Sequence, residues 1–286
     1  MIMKLLVKIF YNILKGLNLI INFFLKRDLL LYLKLLIEKD SYVKKNILGE
    51  SITFFVPNEL IKWRLDTFFT KEPETLSWID NFEKKNKIIF WDIGANIGLY
   101  SIYASLKHSD IQVTSFEPST SNLRTLSRNI SINNLDKKIT ISQLPLSNLS
   151  FETKTLNETN FLEGYSENTF GAEVNFDGKK MKINNKYKIL GTSVDYLTSN
   201  NILNFPNYIK IDVDGIEHLI MKGSIKTFTN EKLKSILVEI NENYSEQYTE
   251  IIKIMEKSGF RCINKNRAEE FYKGRFNKTF NYIFKR

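Results

Sequence analysis

A chain of 286 residues with 43% hydrophobic content can bury one full α/β core and a smaller appendage, and is too apolar and too mixed in charge to be disordered. Its single cysteine, Cys262, excludes an internal disulfide framework and a cysteine-based zinc site, and its two histidines, His108 and His218, exclude a histidine-rich metal centre. The net charge of +9 comes from 41 bases interspersed with 32 acids, with no dense basic tract, so nucleic acid is not an expected partner.

Residues 1–40 are rich in Leu and Ile, yet Lys4, Lys8, Asn12, Lys15, Asn18, Asn22 and Lys26 recur every three or four positions. That spacing predicts a helix with one polar stripe on an otherwise apolar surface. Its longest uncharged run, Gly16 to Leu25, is ten residues, which predicts a segment too short to span a bilayer. No small-residue cleavage site follows, so a secretory signal is not expected and a cytoplasmic location is. Two readings stand: a helix lying in the membrane interface, or one docking on the protein or on a second subunit. The seven Lys/Arg against three acids favour peripheral contact with the inner face of a membrane.

Residues 41–86 read as a connecting helical region, with a helix start at Lys71-Glu72-Pro73-Glu74-Thr75 and an apolar face from Leu76 and Trp78 to Phe82. From Lys87 to the end, strands and helices alternate as in a doubly wound sheet. Strands are expected at 88–93, 111–116, 139–144, 208–213 and 235–240, with helices at 99–107, 119–133, from Gly215, and at 246–257. Short runs at 260–263 and 280–284 suit a closing antiparallel pair. Between the third and fourth strands, residues 148–206 exceed a simple crossover, and Gly164, Gly171 and Gly178 between β-like runs predict an inserted hairpin.

The chemistry gathers at predicted strand ends. The first strand runs into Asp92 and the turn Gly94-Ala95-Asn96-Ile97-Gly98, where the glycines permit close approach of backbone to a ligand. A carboxylate at Asp92 repels a dinucleotide pyrophosphate but attracts the ammonium and sulfonium of S-adenosylmethionine. Asn96 replaces the usual middle glycine and tolerates positive φ; together with Asp92 it disfavours a nicotinamide-dependent oxidoreductase. Glu117, 19 residues past Gly98, suits the ribose hydroxyls of an adenosine. Ser147, past the third strand, is placed to meet an adenine edge. On the fourth strand Lys210, Asp212 and Asp214 share one face. Asp212 is the candidate base, whereas Asp214 and Glu217 read as a helix cap. Glu239 and Asn241 are weaker candidates for the same crevice. No metal is required, although Asp212, Asp214 and Glu239 could hold a divalent cation if they converge. A non-catalytic adenosine-binding or membrane-associated scaffold is the reading from another class.

Taken together, Trp91-Asp92-Ile93-Gly94-Ala95-Asn96-Ile97-Gly98, Phe116-Glu117-Pro118, Lys210-Ile211-Asp212-Val213-Asp214-Gly215-Ile216-Glu217 and Val238-Glu239-Ile240-Asn241 resemble the FkbM family of S-adenosylmethionine-dependent methyltransferases. The resemblance covers about residue 60 to the end, and the strand-four motif is its most specific part. It implies an α/β, Rossmann-like class I methyltransferase domain with a seven-stranded, mostly parallel sheet and helices on both faces, preceded here by the N-terminal helical segment. It also implies S-adenosylmethionine as cofactor and methyl transfer to a hydroxyl of a sugar, glycan or natural product, so the expected partner is a small-molecule or glycan acceptor. Asp212 inherits its catalytic role from that likeness by position only.

Overall fold

A computed structural model describes residues 2–267 and 273–286. The chain divides into two compact units, Met1–Val43 with Phe55–Pro57, and Lys44–Phe54 with Asn58–Arg286.

The first unit contains helices α1 (Ile2–Leu25) and α2 (Leu29–Asp40). Asp28 caps α2 by accepting from the Leu31 amide, and Asn18 Oδ1 accepts the Leu30 amide at 3.1 Å, which folds the start of α2 back onto α1. By length and composition α1 is long enough and apolar enough to cross a membrane. This corrects the expectation of too short a segment. The lysines interrupt the sequence run, but on a helix they lie along one side and leave most of the surface apolar.

Strands β1 (Tyr42–Ile47) and β2 (Glu50–Phe55) form a hairpin in the region expected to be helical. Helices α3 (Glu59–Asp66), α4 (Phe68–Lys71) and α5 (Pro73–Asp80) follow, the last beginning at the predicted Pro73. Then come β3 (Ile88–Ile93), α6 (Leu99–Lys107), β4 (Ile111–Phe116), α7 (Thr120–Ile132) and β5 (Ile139–Ser142), close to the predicted bounds. Strand β5 stops short of Leu144, and the chain beyond it turns away to pair with Thr192, which bonds to Pro145 and Ser147. The insertion is richer than a hairpin. Strands β6 (Glu152–Glu158), β7 (Asn168–Phe170) and β8 (Asn185–Gly191) make a separate antiparallel sheet in the order β7-β6-β8. After α8 (Val194–Ser199) come β9 (Tyr208–Ile211), α9 (Glu217–Lys222), α10 (Ile225–Thr229), β10 (Ser235–Asn241), α11 (Ser245–Lys257), β11 (Arg261–Asn266) and β12 (Thr279–Lys285).

The main sheet has seven strands in the order β11-β12-β10-β9-β3-β4-β5. The pairs β10–β9, β9–β3, β3–β4 and β4–β5 are parallel, and β12 is antiparallel to both β10 and β11. A parallel sheet covered on both faces needs nearly continuous apolar strands. Accordingly Trp91, Ile209, Ile211 and Val238 are fully buried in the core with Phe116 and Met255. Helix α5 packs through Trp78, whose indole donates to Ser235 Oγ at 2.9 Å, and the Phe82 ring stacks on Tyr208 at 3.8 Å. These contacts fix the start of α5, and with it Lys71, Glu72 and Glu74, near the carboxyl ends of the central strands.

Candidate active site

Gly94 and the turn after β3 lie against the ends of two neighbouring strands. The amides of Gly94 and Ala95 both donate to Phe116 O at 3.0 Å, and the Asp212 amide donates to Ile93 O at 3.1 Å. Gly94 has φ +86°, and a Cβ there would lie 1.8 Å from the Asp212 carbonyl oxygen. The β3 turn and the β9 end therefore meet backbone to backbone, which only glycine allows. Asn96, at φ 50°, takes the left-handed conformation expected of it. Gly98 opens α6 in the same region of φ.

A cavity of about 330 Å³ opens at these strand ends, large enough for a nucleoside-sized ligand. On the β4 and β5 side its wall is apolar, from Phe116, Pro118, Leu144 and Leu146. On the β9, β10 and β12 side it is polar, from Asp212, Asp214, Glu239, Thr279 and Asn281. A smaller recess of about 50 Å³ shares Arg64, Lys71, Glu72, Gly94 and Asp212 with it and adds Tyr100 and Lys210.

Glu117 lines the cavity at the end of β4. Its two carboxyl oxygens accept the amides of Asn96 at 2.8 Å and Ser119 at 2.9 Å. Burial pushes this carboxyl up to about 8, against those two hydrogen bonds. Asp92, by contrast, lines neither the cavity nor the recess. It is fully buried behind the turn and accepts from Ser101 Oγ at 2.6 Å, while its Oδ1 has no hydrogen-bond partner. Burial raises it too, although the Lys210 ammonium pulls the other way. The direct ligand contact expected of Asp92 is thus replaced by contact with Ser101 and the field of Lys210. The reason is strand parity: Asp92 pairs in register with Lys210 on the neighbouring strand, on the face covered by α6.

Lys210 is the hub of this layer. It is 1% exposed and donates to Asp212 Oδ2 at 2.6 Å. Burial alone would lower its pKa, but the charges of Asp212, Asp92 and Glu72 outweigh it and raise it. Burial likewise favours neutral Glu72, yet Lys71, at 2.6 Å, and Lys210 bring that carboxyl down to about 2. Tyr100 donates to Glu72 Oε2 at 2.7 Å.

Asp214 is not the helix cap expected of it. The chain turns at Asp214 (φ 62°), strand β9 ends at Ile211 and α9 begins only at Glu217, so the Asp214 side chain accepts the Glu167 amide of the insertion at 2.9 Å. Burial, then the Asp212 charge, raises it to about 6. Glu217 does reach back, to the amides of Val213 and Gly215. Burial pushes it to about 8. Glu239 lies on the cavity wall and is held well above the ordinary range by burial and then by the charges of Asp212 and Asp214. Among the described residues no group of three or more His, Cys, Asp or Glu is arranged to hold a metal ion.

Ser147 also departs from its expected place. It is 2% exposed, exchanges hydrogen bonds with the backbone of Leu149 and does not line the cavity; Leu144, Pro145 and Leu146 do. Ala95 borders only the smaller recess, and Gly98 borders neither space.

The insertion supplies a strap that the sequence does not announce. Tyr165 O accepts from the side-chain amides of Asn96 and Asn122, both at 3.1 Å. Gly164 O accepts from Arg64 Nε at 2.7 Å, its amide donates to Asn122 Oδ1, and Glu163 pairs with Arg124. Residues 163–167 are thereby tied across the Gly94–Gly98 turn. Glu74 is the other unforeseen element. Asn281 Nδ2 donates to its Oε1 at 2.8 Å, which leaves Glu74 Oε2, Asn281 Oδ1 and nearby Thr279 Oγ1 without hydrogen-bond partners on the cavity wall.

The raised carboxyls have a consequence for stability. Glu117 and Glu217 hold protons in the fold up to about pH 8 but release them near 4.5 in the unfolded chain. Their contribution is full below about pH 4.5 and is lost as the pH rises through about 8. The melting temperature of the ligand-free protein should therefore fall between about pH 5 and pH 8.5, and the decline should be shallower in Glu117→Gln and Glu217→Gln. A flat profile, or a slope that neither substitution changes, would show that these carboxyls titrate normally.

Comparison with known proteins places this geometry. The profile of the family described as the methyltransferase FkbM domain matches residues 92–262. No curated protein matches the chain. Among solved structures, a methyltransferase FkbM from Methylobacillus flagellatus KT is 17% identical over 69% of this chain with a TM-score of 0.44. This chain spans 43% of that protein's length. A candidate S-adenosylmethionine-dependent methyltransferase of Streptococcus mutans is 11% identical over 86% of this chain and 56% of its own, with a TM-score of 0.50. TYW2 of P. horikoshii, solved in complex with MeSAdo, is 11% identical over 86% of this chain and 70% of its own, with a TM-score of 0.44. At 11% identity the likeness to the Streptococcus mutans protein is one of fold.

Proposed function

Because this chain belongs to the FkbM methyltransferase family, we propose that it uses S-adenosylmethionine to methylate a hydroxyl oxygen of a sugar, glycan or natural product. The observation that carries the reading is the cavity at the carboxyl ends of β3 and β9, where the Gly94 main chain forms a cradle between an apolar wall and a charged one. Residues around that cradle fit the donor part by part. Phe116, Leu144 and Leu146 offer an apolar bed for adenine, and Glu117 faces the ribose hydroxyls. Arg64 and Lys71 suit the carboxylate of the amino-acid end, and Glu72 suits its ammonium. The unpartnered buried Asn96 Oδ1 beside them accepts one further donor.

When bound, the donor supplies an electrophilic methyl group, so the protein has to align the acceptor, keep water out and remove one proton. Asp212 takes the proton leaving the acceptor hydroxyl, its carboxylate oriented by the 2.6 Å contact with Lys210. The acceptor lies against Glu74, Asn281 and Thr279, whose free oxygens call for hydrogen-bond donors. Burial raises both Glu74 and Glu239, and an acidic wall of this kind favours an uncharged polyol over an anionic acceptor. The strap at 163–167 excludes water from the turn.

Calorimetric titration tests the donor assignment. S-adenosylhomocysteine should bind and NAD should not. Glu117→Gln should weaken binding by about tenfold or more, because an amide nitrogen would face one of the two backbone N–H groups that now point at carboxyl oxygens. Absence of binding, or equal affinity for NAD, would overturn the reading.

A further inference from the structure

Helix α1 is strongly apolar yet buries none of its residues over its 24-residue length, and the shorter α2 buries none either. Ile2, Leu19, Phe23 and Phe24 are 72–75% exposed, and Leu5, Phe10, Ile13 and Ile20 are more than half exposed. At 100° per residue, Lys4, Lys8, Asn12, Lys15, Asn18 and Asn22 all project within an arc of about 120°, and the remaining two thirds of the circumference is apolar. No acid occurs before Asp28. Water does not tolerate an apolar surface of this extent on a monomeric protein, so something covers it.

We infer that α1 lies in the plane of an anionic membrane surface, its apolar two thirds sunk among the acyl chains and its lysine row at the headgroups. Three features select a lipid surface over other occupants. A packed partner helix covers an arc of about 100°, far less than the apolar arc here. The polar arc runs the whole length of the helix, so a spanning orientation would carry Lys8, Asn12 and Lys15 into the hydrocarbon, whereas an in-plane orientation leaves every one of them at the interface. The charge along that arc is of one sign, complementary to anionic lipid. The contact between Asn18 and the Leu30 amide holds the start of α2 at one edge of the polar arc, where Leu14 and Ile21 are half-buried, and the rest of the apolar arc stays exposed. At about 36 Å, α1 is long enough to serve as such an anchor by itself.

The test is flotation of the full chain with vesicles of phosphatidylcholine alone or with about one third phosphatidylglycerol, at low and high salt. We expect strong binding to the anionic vesicles at low salt, weakened at least fivefold by high salt or by the combined substitution Lys4→Glu, Lys8→Glu and Lys15→Glu. The pair Phe23→Ser and Phe24→Ser should weaken binding at both salt concentrations. Thermal melting of each variant, unchanged from the parent, shows that the rest of the chain is folded. No flotation with either lipid overturns the proposal, and a concentration-dependent oligomer dispersed by the Phe variants then identifies a second copy as the occupant. Binding that resists both high salt and alkaline carbonate, and ignores the charge reversals, overturns it in favour of a spanning helix.

Discussion

Replacing Gly94 by alanine should remove both donor binding and much of the stability of the fold. The added Cβ would sit 1.8 Å from the Asp212 carbonyl oxygen and 2.9 Å from its carbon, both main-chain atoms that no rotamer change can move. Relief requires the turn after β3 to separate from the end of β9, breaking the Asp212 amide to Ile93 bond at the centre of the sheet. The φ of +86° adds about 1–2 kcal/mol for any residue with a Cβ. Together with the clash, a loss of at least about 3 kcal/mol is expected, lowering the melting temperature by roughly 10 °C. Gly98→Ala is the control. Its Cβ would meet the end of the Leu126 side chain at 2.5 Å, a group that can rotate, so its cost should approach the conformational one alone. Calorimetry with S-adenosylhomocysteine and a melting scan decide the matter. Near-parental values for Gly94→Ala would mean that the β3 turn and β9 are not held in contact.

Asp212→Asn is expected to lower turnover by about 10²-fold or more, the usual effect of losing a general base, while leaving donor affinity nearly unchanged. The substitution keeps the volume and an oxygen that can accept from Lys210 Nζ. Lys210 also keeps the fields of Asp92 and Glu72, so the buried ammonium is not stranded. Transfer of labelled methyl to a panel of glycosides measures turnover, and melting controls for folding. Should turnover persist while the melting temperature falls, Asp212 serves only to anchor Lys210 and another group takes the proton. Glu239 would then be the next residue to substitute, since it is another carboxyl lining the same cavity.

Much of this architecture is legible in the chain because it is encoded locally. Parallel strands buried on both faces need apolar runs, and those runs locate β3, β4, β9 and β10 within a residue or two of their ends. The turn residues Gly94, Asn96 and Gly98 announce positive φ, and all three adopt it. Period-two alternation puts Lys210 and Asp212 on one face of β9, and they meet at 2.6 Å. The same alternation misleads at Asp92. It specifies a face but not what covers that face, and here α6 seals it with Ser101. Past Ile211 the alternation lapses, because Asp214 and Gly215 bend the chain toward the insertion.

What only the tertiary structure decided is the set of partners brought together from distant parts of the chain. Glu74 meets Asn281 across 207 residues, and Asn96 reaches Tyr165 across 69. Neither pair leaves a local signal, since Glu74 reads as a first-turn acid of α5 and Tyr165 as a residue of an irregular loop. Their meeting depends on strand order, with β12 inserted beside β10, and on the way the β7-β6-β8 sheet brings residues 163–167 to the turn after β3. By itself, then, the sequence determined which strands form, where they end and which polar side chains stand at those ends, because strand period and turn chemistry act between near neighbours. Tertiary packing decided which of those side chains reach the cavity, since burial, strand order and long-range hydrogen bonds emerge only when the sheet is assembled.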